Sequence, residues 1–169
     1  MNVGGHRITN KDLCSAFTDL GFSGVQTYRA SGNVLFEDPG ESPARVRARI
    51  EAGLQSALGY AVPTVLRSCA QVAELAVHRP WTPEQMADTL GKLQVMLLAE
   101  PPSPQARSAV LALETPDDRL WLGPTELYWL PRAGVSDSEL DHRAVVRWLG
   151  VGTVRTVGTL AGIANKCAR

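Results

Sequence analysis

The sequence predicts an α+β fold made of two ferredoxin-like subdomains, in which antiparallel sheets are covered by helices. Three observations lead to this prediction. Hairpin-like turns occur in both halves of the chain, at Ser31-Gly32-Asn33 and at Gly123-Pro124-Thr125. Each hairpin is flanked by segments with apolar residues at helical spacing. A hydrophobic content of 44% with 20% charged residues is typical of a globular protein with a packed core.

The N-terminal half is predicted to begin with a helix and a hairpin. Residues 9–12 resemble a capping box, and Gly21 is a suitable C-terminal stop for the helix that follows. Residues 25–28 and 34–36 are short β-branched and aromatic runs on either side of the first turn. Gly32 supplies the positive φ that such a turn requires.

A second helix, a strand and a short third helix are expected next. Ser42 is placed to cap the second helix, which we predict to end at Gly59. Residues 61–67 predict a strand, and Pro63 assigns it to an edge or unpaired position because proline cannot donate a hydrogen bond. Ser68 opens another capping box and therefore the short helix.

A domain boundary is predicted where prolines interrupt the chain. Pro80 and Pro83 make a continuous helix or a central strand improbable in this region. We therefore expect an N-terminal ferredoxin-like subdomain with the short helix at residues 1–79, a linker at residues 80–91 and a C-terminal ferredoxin-like subdomain with a terminal helix at residues 92–169.

The C-terminal half has the same order of helix, hairpin and helix, although no residue pattern repeats. Residues 92–99 form an apolar strand, and Ser103 with Pro104 begins a helix. Residues 119–130 contain the second hairpin, whose strands alternate well enough to bury one face. Residues 136–139 are predicted to cap a further helix.

Charge and hydropathy exclude several classes of function. The chain carries 17 basic and 17 acidic residues, so no long-range field attracts nucleic acid or an anionic membrane. Nucleic-acid binding would need a local basic patch, and the linear sequence contains none. The longest apolar stretches are too short to span a membrane. We expect a cytoplasmic protein that does not bind membranes.

Cysteine and histidine usage predicts neither a metal nor another cofactor. The three cysteines are an odd number at wide spacings, which predicts reduced and mostly buried thiols rather than a disulfide framework. The three histidines are scattered, and none has the helical i, i+4 spacing of a metal pair. The cysteines are Cys14, Cys69 and Cys167.

Several motifs in combination resemble one protein family. They are Asn2-Val3-Gly4-Gly5, a leucine-bearing helix that ends in Leu20-Gly21-Phe22, the run at residues 27–36, and the region from Thr153 onward. In this combination the chain resembles the domain of unknown function 1697 family. The resemblance implies a pair of ferredoxin-like subdomains in a small bacterial protein whose biochemical role is unassigned.

The chain departs from the pattern of that family in two places. Met1 stands where the family has the last residue of an apolar strand, so the resemblance implies that the first, central strand of the N-terminal sheet is missing. An upstream start, a rearranged segment or a strand from a second copy of the chain would fill this gap, and the last case would be self-association. In the C-terminal family pattern only Thr153, Arg155 and Thr159 match, which weakens any ligand site there.

Candidate binding residues lie near the two N-terminal motifs and on the C-terminal segment. The loop after residue 1 could present backbone N–H groups to an anion, and an arginine could clamp a phosphate or carboxylate. Turn geometry alone also explains the glycines and asparagines. The candidates are Asn2, Gly4, Gly5, Tyr28, Ser31, Asn33 and Arg155.

The sequence contains no set of acid, base and nucleophile, so no catalytic residue is predicted. We expect a non-catalytic ligand-binding or interaction domain with a site near the cleft between the subdomains and a small anionic ligand. The alternative is an enzyme that acts on a small anionic metabolite, with Tyr28 or His6 as acid or base. A third hypothesis is nucleic-acid binding through a sheet surface with exposed aromatic rings, although packing explains Trp121, Tyr128 and Trp129 more simply.

Overall fold

The chain forms two compact units, Met1–Leu66 and Arg67–Arg169. The computed structural model describes residues 2–3, 6–29, 32–87, 89 and 91–168, with side chains from residue 8 onward. Helices and antiparallel sheets occur in both units, so the predicted α+β fold class is confirmed. Within the described ranges, no helix is long and apolar enough to cross a membrane.

The first unit combines two helices with two antiparallel hairpins in its described part. Its elements are β1 (Asn2–Val3), β2 (His6–Arg7), α1 (Asn10–Asp19), β3 (Gln26–Tyr28), β4 (Asn33–Leu35) and α2 (Pro43–Leu58). Strand β1 pairs with β2 and β3 pairs with β4. The predicted caps are confirmed, because Thr9 accepts from the Asp12 N–H and Ser42 from the Arg45 N–H.

The core of the first unit lies between the two helices and the second hairpin. Leu13, Ile50 and Leu54 are buried at helical spacing on α1 and α2. Phe17, Phe22 and Phe36 form an aromatic cluster with ring centroids 4.6–5.7 Å apart. Apolar burial of this kind holds the hairpin against the helices.

The strand predicted at residues 61–67 is wrong. These residues form neither helix nor strand. Pro63 has no N–H to donate, and the Thr64 N–H donates to the Glu51 carboxylate of α2 at 2.8 Å. The segment is therefore held by a side chain of α2, which no local propensity in the segment could reveal.

The second unit is built around one four-stranded antiparallel sheet with the strand order β6-β7-β5-β8. Its regular elements are α3 (Cys69–Val77), α4 (Pro83–Ala87), β5 (Gln94–Leu98), α5 (Pro104–Leu111), β6 (Asp118–Leu122), β7 (Glu126–Pro131), α6 (His142–Leu149), β8 (Gly152–Thr156) and α7 (Val157–Cys167). From β5 to β8 the order is strand, helix, strand, strand, helix, strand. This is the order on which the prediction for the C-terminal half rested.

Helix α3 belongs to the second unit, where it packs beside α7. The sequence had assigned this helix to the N-terminal subdomain. Helix α4 lies inside the predicted linker at residues 80–91.

The expected helix start at residues 136–139 is wrong. A 3-10 turn covers Val135–Asp137, and α6 begins later, with Asp141 accepting from the Ala144 N–H.

The two faces of this sheet contact different helices. Successive residues of a strand point to opposite faces. Leu127 and Trp129 of β7 therefore share one face and belong to the core cluster with Val110 of α5 and Val145 of α6. Tyr128 points to the other face, where its hydroxyl donates to the Leu75 carbonyl of α3 at 3.0 Å.

A disulfide joins Cys69 at the start of α3 to Cys167 at the end of α7. The predicted reduced state is therefore wrong for these two cysteines, whereas Cys14 is a free thiol. The two bonded residues are 98 positions apart, and their Cα atoms are 5.9 Å apart because α3 and α7 pack side by side. A wide spacing in sequence says nothing about such a contact.

Candidate functional site

A cavity of about 350 Å³ opens in the second unit between α3 and the β6–β7 hairpin. Helix α3 and the residues around it form one wall, and the hairpin with its turn forms the other. The lining residues are Arg67, Gln71, Glu74, Leu75, His78, Trp121, Pro124, Thr125, Glu126 and Tyr128.

The α3 wall follows from the helix register. Gln71, Glu74, Leu75 and His78 are spaced by three or four residues, which places their side chains on one face. A capping box fixes the start of this helix: Ser68 accepts from the Gln71 N–H, and the Gln71 side chain accepts from the Ser68 N–H. The predicted capping box is confirmed.

Three aromatic rings form the floor of the cavity. Trp121 and Tyr128 are register partners on β6 and β7, with ring centroids 5.5 Å apart. His78, at the C-terminal cap of α3, lies 4.6 Å from the Trp121 ring and 5.0 Å from the Tyr128 ring. Tyr128 is fully buried, Trp121 is half-buried and His78 is exposed, so the cluster extends from the interior to the surface.

The Tyr128 hydroxyl is committed to the fold. It donates to the Leu75 carbonyl, and burial, with a smaller contribution from Glu126, raises the pKa of Tyr128 to about 12 against the opposing effect of Arg79. At neutral pH the hydroxyl therefore keeps its proton. It ties α3 to the sheet, and it is unsuited to act as a general acid or base.

Arg67 and Glu126 are anchored at the turn of the hairpin. The Arg67 Nη2 donates to the Leu98 carbonyl at 2.8 Å and to the Thr125 carbonyl at 2.9 Å. Burial lowers the pKa of Arg67, and the nearby Glu126 charge opposes that shift. The Glu126 Oε2 accepts from the Thr125 N–H at 3.0 Å and from its hydroxyl at 3.2 Å.

Glu74 stands at the rim of the cavity as the second carboxylate. It is exposed, and its side chain makes no hydrogen bond or ion pair to the residues that the structure describes. Its neighbour one turn later on α3 is His78. Two carboxylates thus line the cavity against one guanidinium, and that guanidinium already interacts with Glu126.

The predicted site residues of the first unit are held by hairpin geometry where they are described. Tyr28 pairs with Asn33, and the Asn33 Nδ2 donates to the Tyr28 carbonyl at 3.3 Å. The neighbouring Arg29 has a φ of 57°, and its guanidinium lies 5.5 Å from the Tyr28 ring centroid. Gly32 has a φ of 71°, as the turn prediction required. These contacts give Asn33 a structural role.

Four other predicted site residues lie wholly or partly outside the described part of the structure. Gly4, Gly5 and Ser31 lie outside the described residues, and only the backbone of Asn2, in β1, is described. The candidate base His6 has only its backbone described too.

Arg155 lies on β8 of the second unit, opposite Val95. Its Nη1 donates to the Val154 carbonyl at 2.7 Å, and burial lowers the pKa of its guanidinium. The structure thus brings Tyr28 and Asn33 together in one unit and places Arg155 in the other. None of these three residues lines the described cavity.

Comparison with known families settles membership. A family model described as "Protein of unknown function (DUF1697)" matches residues 1–128. The chain belongs to this family. The resemblance seen in the motifs is confirmed, and the matched span includes every residue that lines the cavity.

This DUF1697 chain is also similar to a solved structure, that of the conserved bacterial protein SP0830 from Streptococcus pneumoniae. The similarity covers 100% of this chain and 94% of that chain, with a TM-score of 0.78 and 22% sequence identity. At this identity the likeness shows the fold alone. No curated protein matches the chain.

Sequence reasoning missed the cavity of this DUF1697 member although it identified several of its parts. The capping box at Ser68 and the aromatic residues of the second hairpin were both recognised. The sequence did not predict the contact between α3 and the hairpin, which is made by Tyr128 and Leu75, 53 residues apart. The aromatic packing predicted for Tyr128 and Trp129 is confirmed, because both are buried.

Proposed function

We propose that the protein is a non-catalytic binding protein, and that it holds a small ligand in the cavity between α3 and the β6–β7 hairpin. The carrying observation is the cavity itself. Its volume of about 350 Å³ falls within the range of small-molecule sites, and it combines aromatic walls with a few polar groups. This site differs from the inter-subdomain position expected from the sequence.

The bonding of the lining residues favours binding over catalysis. The Tyr128 hydroxyl, the Arg67 Nη2 and the Glu126 Oε2 each have partners within the fold. The Thr125 hydroxyl donates to the Glu126 carboxylate at 3.2 Å, but the same Oε2 also accepts from the Thr125 N–H at 3.0 Å, so this contact belongs to the hairpin turn. Hydrogen bonds that already hold these lining groups suit recognition, since those groups need little further ordering on binding.

The enzymatic alternative draws less support. It required an acid or base from Tyr28 or His6 beside an arginine. Tyr28 and its neighbour Arg29, whose guanidinium lies 5.5 Å from the Tyr28 ring centroid, do not line the described cavity. Nucleic-acid binding through the sheet draws less support as well, because Tyr128 is 0% exposed and Trp129 is 6% exposed, so that Trp121 alone of the three rings is half-buried.

We also propose a ferredoxin-like topology for the second unit and a cytoplasmic location for the protein. The strand order β6-β7-β5-β8 supports the first of these. The free thiol of Cys14 agrees with the second, whereas the Cys69–Cys167 disulfide is more typical of oxidising compartments. Thiol labelling of the protein in intact cells, followed by fractionation, would test both the location and the state of this pair.

A ligand screen by thermal shift tests the proposed function. A ligand that binds the folded state raises the melting temperature by mass action. We expect such a shift in the wild type and in Asn33→Ala and Arg155→Ala, and its loss in Trp121→Ala, each measured against the variant's own baseline. The proposal fails if shifts persist in Trp121→Ala and disappear in Asn33→Ala or Arg155→Ala, because the ligand would then bind at the residues predicted from the sequence.

A further inference from the structure

We infer that the ligand of this cavity carries an organic cation, of the alkylammonium type. This inference rests on the proposed function and adds the chemical class of the ligand. It follows from the combination of an aromatic floor, an unpaired carboxylate at the rim and a guanidinium whose Nη2 is bonded to the hairpin.

The aromatic floor favours a cation. The faces of aromatic rings carry a negative quadrupole, and tryptophan attracts cations most strongly. Trp121 is half-buried, with the Tyr128 and His78 rings 5.5 Å and 4.6 Å away. An alkylammonium group seated on Trp121 would bury its methyl groups against Trp121 and the exposed His78 ring and keep its diffuse charge over a ring face. Such a group is weakly hydrated, so entering the cavity costs it little.

The lining charges have the sign that a cation requires. Glu74 and Glu126 contribute two negative charges, and Arg67 contributes one positive charge. The Arg67 Nη2 donates to two carbonyl oxygens, and the guanidinium stands beside Glu126. The charge left uncompensated in the lining is therefore the carboxylate of Glu74, which lies one helical turn before His78.

An anionic ligand, as predicted from the sequence, would meet the opposite situation. It would meet a guanidinium whose Nη2 is already bonded to the Leu98 and Thr125 carbonyls and whose charge stands beside Glu126. It would also approach the Glu74 and Glu126 carboxylates. Both effects oppose binding, so the cavity discriminates by sign of charge.

The test compares three probes of graded charge on the full chain. Choline carries the alkylammonium group, its neutral tert-butyl analogue has the same shape without charge, and inorganic phosphate is the anion. Binding is followed by Trp fluorescence and by thermal shift. We expect choline to bind, the neutral analogue to bind about tenfold more weakly because cation–π and charge attraction are both lost, and phosphate to give no response.

Variants locate the binding and separate charge from packing. Glu74→Gln keeps the shape of the side chain and should weaken choline about threefold to tenfold, as expected for one partly exposed charge. The matched control is Glu139→Gln, an exposed carboxylate outside the cavity, which should bind as the wild type does. Trp121→Leu should abolish binding, and Trp121→Phe should restore part of it, which guards against misreading a folding defect.

The outcomes separate failure of the cation inference from failure of the proposed binding function. If the neutral analogue or phosphate binds as well as choline and Trp121→Leu abolishes that binding, the cation inference is overturned and the binding function stands. If choline binds equally to Glu74→Gln and Trp121→Leu, its site lies elsewhere, and the inference is likewise overturned. If the ligand screen and these probes all give no response that depends on Trp121, both proposals fail.

Discussion

Replacing Asp118 by asparagine should destabilise the second unit by about 2–4 kcal/mol at neutral pH, since hydrogen bonds to a buried charge each contribute about 1.5–3 kcal/mol. Asp118 is 0% exposed. Its Oδ1 accepts from the Trp129 Nε1 at 2.7 Å and from the Ser138 hydroxyl at 2.6 Å, and its Oδ2 accepts from the Thr115 hydroxyl at 3.0 Å. Asparagine keeps one acceptor, loses the charge and turns an N–H₂ group toward one of these donors.

The same carboxylate makes the destabilisation caused by the substitution depend on pH. Burial alone would raise the pKa of Asp118, but the hydrogen bonds from Ser138, Trp129, Thr115 and the Glu139 backbone outweigh burial and lower it. A carboxyl whose pKa is lower in the folded state stabilises that state above its unfolded pKa of about 3.9, and the contribution is lost as the pH falls through the folded pKa. The asparagine variant lacks this contribution at every pH.

Urea unfolding followed by Trp fluorescence at pH 7 and at pH 3 measures both effects. The stability difference between the wild type and Asp118→Asn should shrink at pH 3. The matched control is Asp137→Asn, an exposed aspartate nearby, whose stability should change by less than about 0.5 kcal/mol. The reasoning is refuted if Asp118→Asn costs no more than this control at pH 7, or if its cost is the same at both pH values.

Two further predictions concern the links that hold α3. Reducing the disulfide, or the substitution Cys69→Ser, should lower the free energy of unfolding by about 4–5 kcal/mol in the chain-entropy model for a loop of this length. It should also weaken ligand binding because α3 forms one cavity wall. Cys14→Ser is the control, and equal melting temperatures with and without reductant would contradict the prediction. Tyr128→Phe should cost about 1–2 kcal/mol by leaving the buried Leu75 carbonyl without its donor. Because the pKa of Tyr128 is about 12 in the folded state and lower in the unfolded state, wild-type stability should fall above about pH 10 and approach that of the Phe variant. If the stabilities of the two proteins instead change in parallel with pH, the hydroxyl is not buried as described.

Local signals in the sequence predicted the helix caps and the turns well. Thr9, Ser42, Ser68 and Ser103 each cap a helix as expected, because a hydroxyl that accepts from an N–H two or three residues later is a purely local interaction. Gly59 ends α2 with a φ of 80°, a conformation that glycine adopts without strain. The second hairpin is likewise confirmed, as β6 and β7.

The errors fall where a distant partner decides the outcome. Residues 61–67 have strand propensity, but the Thr64 N–H is bound by a carboxylate of α2. The helix expected from residue 136 begins later, after Ser138 has bonded to the buried Asp118. In both cases a tertiary hydrogen bond outweighs a local preference of a few tenths of a kcal/mol per residue.

By itself the sequence determined the family, the α+β class and the positions of most caps and turns, because each depends on residues close together in the chain. Only the tertiary structure decided that α3 packs beside α7, that Cys69 and Cys167 form a disulfide, and that α3 and the hairpin enclose a cavity. These features depend on side chains brought together from distant parts of the chain. Which apolar face meets which is set by packing of the whole unit, and no local pattern encodes it.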